Sequence, residues 1–336
     1  MRADEDRLDV VRAEERDGAR DDRGGAVGRG EEALRDAAEA RRGAAYEDAA
    51  ERSRHARYDS AVAAKTITVE RVRSGARAAE EDRVVVEEPL EIRVDDDTLA
   101  ITMRTPGHDR ELVLGFLLGE GIIRAKGDVA SLANCGRPGD PGYANTIAVV
   151  LGPTARPPES ERVRRGTMTT SACGVCGRRT LDDLFARIQP RRSEARFSAE
   201  AIAAAVAALR ERQPLFDATG GCHAAALTDA AALEEAGPRA VVAALEDVGR
   251  HNAVDKVVGS RVLAGDLGVA GRLLVVSGRA SFEIVQKALA AGVDAVASVS
   301  APSSLAVDLA REGGLVLAGF VRGSDLVVYS GAERVD

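Results

Sequence analysis

Two cysteines three positions apart give this sequence its clearest chemical signal. Cys173 and Cys176 lie in the segment 171–177, SACGVCG, in which a glycine follows each cysteine. A cysteine reacts as its thiolate, and this spacing can lower the pKa of one thiol toward neutrality. Nearby cations favour the thiolate further, and five arginines flank the pair: Arg162, Arg164, Arg165, Arg178 and Arg179. The pattern predicts a reactive dithiol on a mobile, exposed loop.

Three kinds of chemistry could use such a pair. A structural zinc site needs a second pair of ligands, but Cys135 stands alone and Cys222 adjoins His223. A zinc-dependent base deaminase carries H-x-E before P-C-x-x-C. This sequence has no H-x-E, has Ala172 in place of the proline, and both His223 and His251 follow the dithiol. Thiol or sulfur transfer needs only an exposed, activated sulfur, and we expect no structural metal.

The composition places the dithiol on an acidic α/β protein. The chain has 336 residues, a net charge of −8 and only 3% aromatic residues, so aliphatic side chains must form the core. Nucleic-acid-binding domains are usually basic, and we expect no nucleic-acid partner. We expect no membrane association either, because no apolar run is long enough to span a bilayer and the N-terminus has no apolar signal segment. Four cysteines without a regular framework favour the reducing cytoplasm.

Composition and patterning divide the chain into four parts. Residues 1–62 form a charged tail that cannot bury enough apolar surface to become ordered. Residues 63–160 are expected to form a small β-rich subdomain, and residues 161–196 hold the dithiol loop with a connecting helix. Residues 197–336 alternate between helices and strands, which predicts an α/β core with a largely parallel sheet between helices.

Local patterns predict individual elements within these parts. An alternating apolar pattern on both sides of residues 95–97 predicts a hairpin, and Asp109 is expected to cap the helix that follows it. The remaining predictions are strands over 145–151, 273–276, 295–299, 315–320 and 326–329, and helices over 181–188, 201–209, 282–290 and 305–310.

Two loops of the predicted core run from a strand directly into a helix. They cover 276–281, VSGRAS, and 299–304, VSAPSS, with Ser281 and Ser303 or Ser304 as natural N-caps. Open α/β sheets bind ligands at the carboxyl ends of their strands, and helix N-termini suit phosphate. Because Arg279 adds a positive charge, the loops predict an anionic ligand. The alternative is that they are merely well-capped loops in which Arg279 pairs with Glu283.

Two glycine turns carry the remaining polar candidates. One covers 219–223, and the other precedes a helix that Asn252 and Asp255 are expected to start as a capping box. The histidine in each turn could instead be structural. Together with the strand-to-helix loop, these turns supply the candidate ligand-binding residues Gly221, His223, Arg250, His251, Ser277, Gly278 and Arg279.

Eight blocks in order resemble the FdhD-type formate dehydrogenase accessory sulfurtransferases. They span about residues 66–330 and leave the N-terminal tail uncovered. The blocks are 103–107, 114–117, 170–177, 219–227, 246–259, 277–287, 299–309 and 317–322. The sequence departs from the family pattern at Ala172, Arg178 and Cys222, and the last departure places an extra thiol beside the predicted ligand site.

The resemblance implies a function for the dithiol. It implies that Cys173 takes a persulfide sulfur from a cysteine desulfurase, with Cys176 as its helper. The sulfur would pass to molybdenum bis(molybdopterin guanine dinucleotide), a bound substrate, before that cofactor enters formate dehydrogenase. A cofactor-binding stretch is implied at Phe320, Val321, Arg322, Gly323, Ser324 and Asp325. The implied fold is a three-layer α/β/α core of cytidine-deaminase-like type without the deaminase zinc, in a homodimer.

A second function stays open at this point. A non-catalytic chaperone would bind the molybdenum cofactor without moving sulfur. The intact CxxC pair favours the sulfurtransferase, because a pure carrier of the cofactor needs no thiolate.

Overall fold

The computed structural model describes residues 63–138, 143–156, 193–229, 232, 240–267 and 271–336. The charged tail, the dithiol loop and the predicted helix over 181–188 lie outside the described residues. In the part of the chain that is described, no helix is both long and apolar enough to cross a membrane.

A two-stranded antiparallel ribbon precedes the sheets. Strand β1 (Ala64–Arg73) pairs with β2 (Ala76–Val85), and neither pairs with another strand of the described residues. Ion pairs connect the two strands, including Arg71 Nε to Glu80 Oε2 at 2.8 Å. Because these side chains are partly exposed, each pair contributes little to stability.

A four-stranded sheet follows, in the order β4-β3-β6-β5. Its strands are β3 (Glu88–Val94), β4 (Asp97–Arg104), β5 (Val129–Asn134) and β6 (Thr146–Leu151). Between β3 and β4, Asp95 and Asp96 have φ angles of 47° and 73°. Two successive positive φ values are typical of the tight turn that matches the twist of a hairpin. The predicted hairpin and the strand predicted over 145–151 are therefore confirmed.

The first helix is α1 (Asp109–Gly119). Asp109, which was predicted to precede the helix as its cap, is instead its first residue. His108 occupies the N-cap position in the left-handed region, so the prediction that Asp109 caps the helix is wrong. The Asp109 carboxylate instead accepts from the buried Arg104 guanidinium, at 2.8 Å from Nε and 3.0 Å from Nη2. A buried guanidinium must be paired, and this requirement outweighs the local capping preference.

The larger sheet has six strands in the order β12-β11-β10-β9-β7-β8. They are β7 (His223–Asp229), β8 (Val241–Asp247), β9 (Arg272–Val276), β10 (Ala295–Ser298), β11 (Val316–Arg322) and β12 (Asp325–Ser330). Strands β8, β9, β10 and β11 run in one direction, while β7 and β12 run in the other. The two-residue connection from β11 to β12 permits only an antiparallel pair.

Helices cover both faces of this sheet. They are α2 (Ala199–Arg210), the short α3 (Pro214–Thr219), α4 (Arg250–Ala264), α5 (Phe282–Ala290) and α6 (Ser304–Gly313). Along β7, Ala225 and Leu227 join a core with α4, α5 and α6, while Ala224 and Ala226 join a second core with α2. The three-layer α/β/α prediction is confirmed. The prediction of a largely parallel sheet is wrong, because β7 and β12 run against their neighbours and three of the five strand pairs in this sheet are antiparallel. The cytidine-deaminase-like type and the four domain boundaries stay predictions.

Of the two serines predicted to cap helices, Ser303 caps α6 through its hydroxyl and Ser281 does not cap α5. The Ser303 hydroxyl accepts from the Ala306 backbone N–H at 3.3 Å and caps α6 as expected. Ser281 holds the same position before α5, but its hydroxyl makes no bond to the helix. The capping box at Asn252 and Asp255 is wrong, because α4 already begins at Arg250 and both residues lie inside it.

Two glycines allow α1 and α4 to pack backbone against backbone. A Cβ on Gly115 would overlap the Asp255 carbonyl, and a Cβ on Gly259 would overlap the Glu111 carbonyl. One hydrophobic core also runs through this contact, from Leu90 of β3 to Leu274 of β9. The contact therefore fixes the smaller sheet and its helix against the helical layer of the larger sheet.

Gly259→Ala should destabilise the protein, because the added methyl group forces the two backbones apart. Overpacking of this kind costs about 1–3 kcal/mol in the free energy of unfolding, which urea denaturation measures. Gly127→Ala is the matched control, since a Cβ there meets no atom within 4 Å. The control should stay within about 0.5 kcal/mol of the unmodified protein. Equal unfolding midpoints for both variants would contradict the close contact.

Candidate functional site

The candidate residues gather at one edge of the six-stranded sheet. Strands β8, β9, β10 and β11 end at this edge and β7 begins there, since His223 lies opposite Asp247 and Ala225 opposite Val276. We call it the carboxyl edge. The two strand-to-helix loops meet here as well, because Ala280 and Pro302 form a bridge and Ser303 N–H donates to the Ala280 carbonyl at 3.0 Å.

Gly278 lets a histidine and an arginine approach the loop backbone. A Cβ at this position would lie 3.2 Å from His223 Nδ1 and 4.0 Å from Arg250 Cδ. Burial lowers the pKa of His223 from its ordinary value of 6.5, and the Arg250 and Arg279 guanidinium groups lower it further. The structure therefore brings together His223, Arg250, Gly278 and Arg279, and it holds the imidazole neutral near pH 7.

Ser277 joins β9 to β7 rather than pointing a free hydroxyl at a ligand. Its Oγ accepts from the Ala224 backbone N–H at 2.9 Å, and its own N–H donates to the Ala224 carbonyl at 3.0 Å. Ser277 thereby fixes the position of the Gly278–Arg279 turn relative to His223.

Arg279 is exposed at the carboxyl edge. In the described part of the chain no ion pair includes it, whereas Glu283 pairs with His251 Nδ1 at 3.2 Å and with Lys287 at 3.8 Å. The expected alternative, an Arg279–Glu283 pair, is absent from these described contacts. Arg250 contributes a second unusual group, since its Nε is buried and has no hydrogen-bond partner among the described residues.

His251 occupies a different environment from His223. It is buried, and its Nε2 lies 3.0 Å from Ser281 Oγ while its Nδ1 faces Glu283. Both ring nitrogens are therefore engaged by neighbouring side chains within the protein.

The Asp247 carboxylate organises the turn that carries Arg250 and His251. One oxygen lies 2.7 Å from the buried Lys256 Nζ and accepts from the Thr105 N–H at 3.1 Å. The other accepts from the Gly249 N–H at 2.8 Å and from Asn252 Nδ2 at 3.1 Å. Reasoning from the sequence missed this network, although the blocks 103–107 and 246–259 contain all its members.

Gly221 and Cys222 precede His223 in the chain, but neither belongs to the group formed by His223, Arg250, Gly278 and Arg279. Gly221 is exposed, and a Cβ there would lie 3.2 Å from Val85 Cγ1. Cys222 is buried, and its thiol donates to Glu246 Oε1 at 3.3 Å. Burial, followed by the Glu246 charge, raises the pKa of Cys222 far above its ordinary value. A neutral thiol is a poor nucleophile, which removes Cys222 as a candidate reactive cysteine.

The segment 320–325 lies at the end of β11 and in its hairpin to β12. Phe320 has a φ of 52° and is 42% exposed, and its N–H donates to the Ser300 carbonyl at 3.2 Å. Val321 is buried in the core on the α2 side. Arg322 lies opposite Asp325 across the turn formed by Gly323 and Ser324. One strand, β10, separates this segment from the β9 loop, so both belong to the carboxyl edge.

The two cysteines of the dithiol, Cys173 and Cys176, lie outside the described residues. Among the residues that are described, no cluster of three His, Cys, Asp or Glu side chains is placed to hold a metal ion.

Comparison with known proteins places this arrangement in a family. The FdhD/NarQ family model matches residues 85–336. The chain belongs to the FdhD/NarQ family. A relative named sulfur carrier protein FdhD, from Anaeromyxobacter dehalogenans, is 50% identical over 283 residues, which is 82% of this chain and 94% of the relative. Proteins of the same name from Streptomyces coelicolor and Mycobacterium tuberculosis are 46% and 44% identical, over 80% and 76% of this chain and 94% and 92% of their own lengths.

A solved structure supports the fold of this FdhD/NarQ member. It is described as a formate dehydrogenase accessory protein from Desulfotalea psychrophila, and it aligns with a TM-score of 0.62 at 22% identity. The alignment covers 81% of this chain and 99% of the solved chain. At this identity the match shows the shared fold alone.

The His223 imidazole should titrate with a midpoint below 6.5, measured by NMR across the pH range. Arg250→Gln should raise the midpoint more than Arg279→Gln, and neither should restore 6.5, because burial is the largest cause. A lowered folded-state pKa also means that stability is complete above pH 6.5 and is lost as the pH falls through the folded value. A midpoint at or above 6.5 in the unmodified protein would contradict the burial of His223 beside the two arginines.

Proposed function

We propose that this protein carries sulfur as a cysteine persulfide and delivers it to the molybdenum cofactor of a formate dehydrogenase. The observation that carries the proposal is its membership of the FdhD/NarQ family over residues 85–336, a range that includes the CxxC pair. Its relatives are named sulfur carrier proteins at up to 50% identity. A sulfur carrier needs a thiol that is reactive near neutral pH, and the arginine-flanked CxxC is the best candidate in the sequence.

In this proposal Cys173 holds the transferred sulfur. Its thiolate attacks the outer sulfur of a persulfide on a cysteine desulfurase, and the desulfurase cysteine leaves as a thiolate. Cys176 assists, by relaying or resolving the sulfur. The final acceptor is molybdenum bis(molybdopterin guanine dinucleotide), bound as substrate.

The carboxyl edge is the proposed binding site for that substrate. Its phosphates carry several negative charges, and the edge offers Arg250, Arg279 and Arg322 together with the N-termini of α5 and α6. The buried Nε of Arg250 without a partner among the described residues supports an anion there. The exposed Phe320 ring offers a stacking surface to a planar group.

The second candidate function is a chaperone that binds the molybdenum cofactor without transferring sulfur. The same edge residues support binding in both cases, so the cysteines discriminate between the two functions. The proposal further includes a homodimer that works in the cytoplasm with a cysteine desulfurase and a formate dehydrogenase as partners.

Cys173→Ala should abolish formate dehydrogenase activity in a complementation assay, because the persulfide-bearing sulfur is lost. Cys176→Ala should reduce the activity. Cys135→Ala is the control and should leave the activity intact, since Cys135 directly follows β5 of the smaller sheet. Its Sγ lies 4.0 Å from Arg93 Nη1 of β3. Full activity of Cys173→Ala would favour the chaperone, and a dead Cys176→Ala with an active Cys173→Ala would reverse the two roles.

GDP should bind at the carboxyl edge, because it reproduces the guanosine diphosphate part of the substrate. A charge-assisted hydrogen bond contributes about 1.5–3 kcal/mol, so Arg279→Ala should weaken GDP binding by roughly ten- to a hundredfold in calorimetric titration. Arg77→Ala also removes one arginine charge, but from the β1–β2 ribbon and not from the six-stranded sheet, and it should leave the GDP affinity unchanged. No binding by the unmodified protein would remove the site, and equal affinities of both variants would remove Arg279 from it.

A further inference from the structure

Ser281, His251 and Glu283 form a hydrogen-bonded line beside the carboxyl edge. Ser281 Oγ lies 3.0 Å from His251 Nε2, and Glu283 Oε2 lies 3.2 Å from His251 Nδ1. A hydroxyl, an imidazole and a carboxylate in this order have the connectivity of a nucleophile, a general base and an orienting acid. The proposed sulfur transfer uses neither of these two contacts.

The Glu283 carboxylate determines which nitrogen of the neutral His251 ring carries the proton. An ionised carboxylate can only accept hydrogen bonds, so Nδ1 of the neutral His251 ring must carry the proton and donate it to Glu283. Nε2 is then left with a lone pair that accepts from the Ser281 hydroxyl. This tautomer is the one that can remove the hydroxyl proton during nucleophilic attack.

A buried ion pair supports Glu283 from its other side. Lys287 Nζ lies 3.8 Å from Glu283 Oε1 and 2.7 Å from Asp255 Oδ1. Burial opposes the charged form of Lys287, but the carboxylates of Asp255 and Glu283 outweigh it and raise the pKa of Lys287. The lysine therefore stays protonated and favours an ionised Glu283, which in turn can stabilise the imidazolium that forms when His251 takes a proton.

Ser281 is placed for reaction rather than for capping. It follows a strand-to-helix loop at the N-cap position of α5, with backbone angles outside the helical region, and it is half-buried. Its hydroxyl makes no bond to α5, whereas Ser303, in the same position before α6, caps its helix. The positive end of the nine-residue helix α5 also favours negative charge on the Ser281 oxygen.

We propose that Ser281 is a nucleophilic serine, activated by His251 and Glu283, that accepts acyl groups from esters or thioesters. Ser281 Oγ forms a bond to the carbonyl carbon while its proton moves to His251 Nε2. The bond to the leaving oxygen or sulfur breaks, and the leaving group takes the proton from Nε2. Water then repeats the sequence on the acyl-serine, which releases the carboxylic acid and restores the hydroxyl.

A fluorophosphonate probe tests this activity in the full-length protein. The serine oxygen bonds to phosphorus, the phosphorus–fluorine bond breaks, and the adduct persists, so intact mass followed by peptide mapping locates it. The probe prefers activated serines over cysteines and so separates this reaction from the chemistry of the dithiol. We expect one adduct on Ser281 and none in Ser281→Ala.

Two further variants separate activation from simple exposure of a hydroxyl. His251→Gln should slow labelling by about a hundredfold or more, since it removes the general base, and Glu283→Gln should slow it by about tenfold or more. Ser131→Ala changes a serine on β5 of the smaller sheet and should label at the normal rate. No adduct on the unmodified protein, an adduct at another residue, or unchanged labelling of a folded Glu283→Gln would each overturn the proposal.

Discussion

The arrangement of the carboxyl edge depends on the buried Asp247 carboxylate and its four partners. Asp247 forms an ion pair with Lys256 of α4 and accepts hydrogen bonds from Asn252 of α4, from the Gly249 N–H, and from the Thr105 N–H after β4. The network connects the end of β8, the first turns of α4 and the loop that leads to α1. Removing one partner of a buried pair leaves the other charge uncompensated and costs about 3–5 kcal/mol. The same carboxylate therefore stabilises the fold and fixes the turn that begins α4, where Arg250 and His251 are the first two residues.

This framework places two histidines in different environments. His223 is held near Arg250 and Gly278, where burial and cations keep it neutral beside the proposed phosphate site. His251 is held between Ser281 and Glu283. Two buried pairs connect these elements: Asp247 at the end of β8 with Lys256 of α4, and Asp255 of α4 with Lys287 of α5. Close backbone packing of α1 on α4 at Gly115 and Gly259 holds α4 in place beside the smaller sheet.

Patterns within single elements could be predicted from the sequence, and long-range contacts could not. Helix α5 has the predicted bounds, because its apolar periodicity is strong. Asn252 and Asp109 are residue types that often cap helices. In the fold, however, Asn252 donates to the Met103 carbonyl at 2.7 Å and Asp109 accepts from Arg104. The β1–β2 ribbon has polar side chains on both faces, so its apolar alternation is limited to Ile67 and Val69. The gathering of candidate loops at one edge was predictable from strand polarity, whereas the Asp247 network requires the fold. The roles of Cys173 and Cys176 remain predictions.

The central claim, that this FdhD/NarQ protein carries sulfur on Cys173, is tested most directly by mass spectrometry of the protein after incubation with a cysteine desulfurase and cysteine. The account predicts the added mass of one sulfur atom on the peptide that contains Cys173, sensitive to a reducing thiol. The addition should be absent from Cys173→Ala and present in Cys135→Ala. An unmodified Cys173 in a protein that still supports formate dehydrogenase activity would contradict the account, as would sulfur found on Cys222 instead.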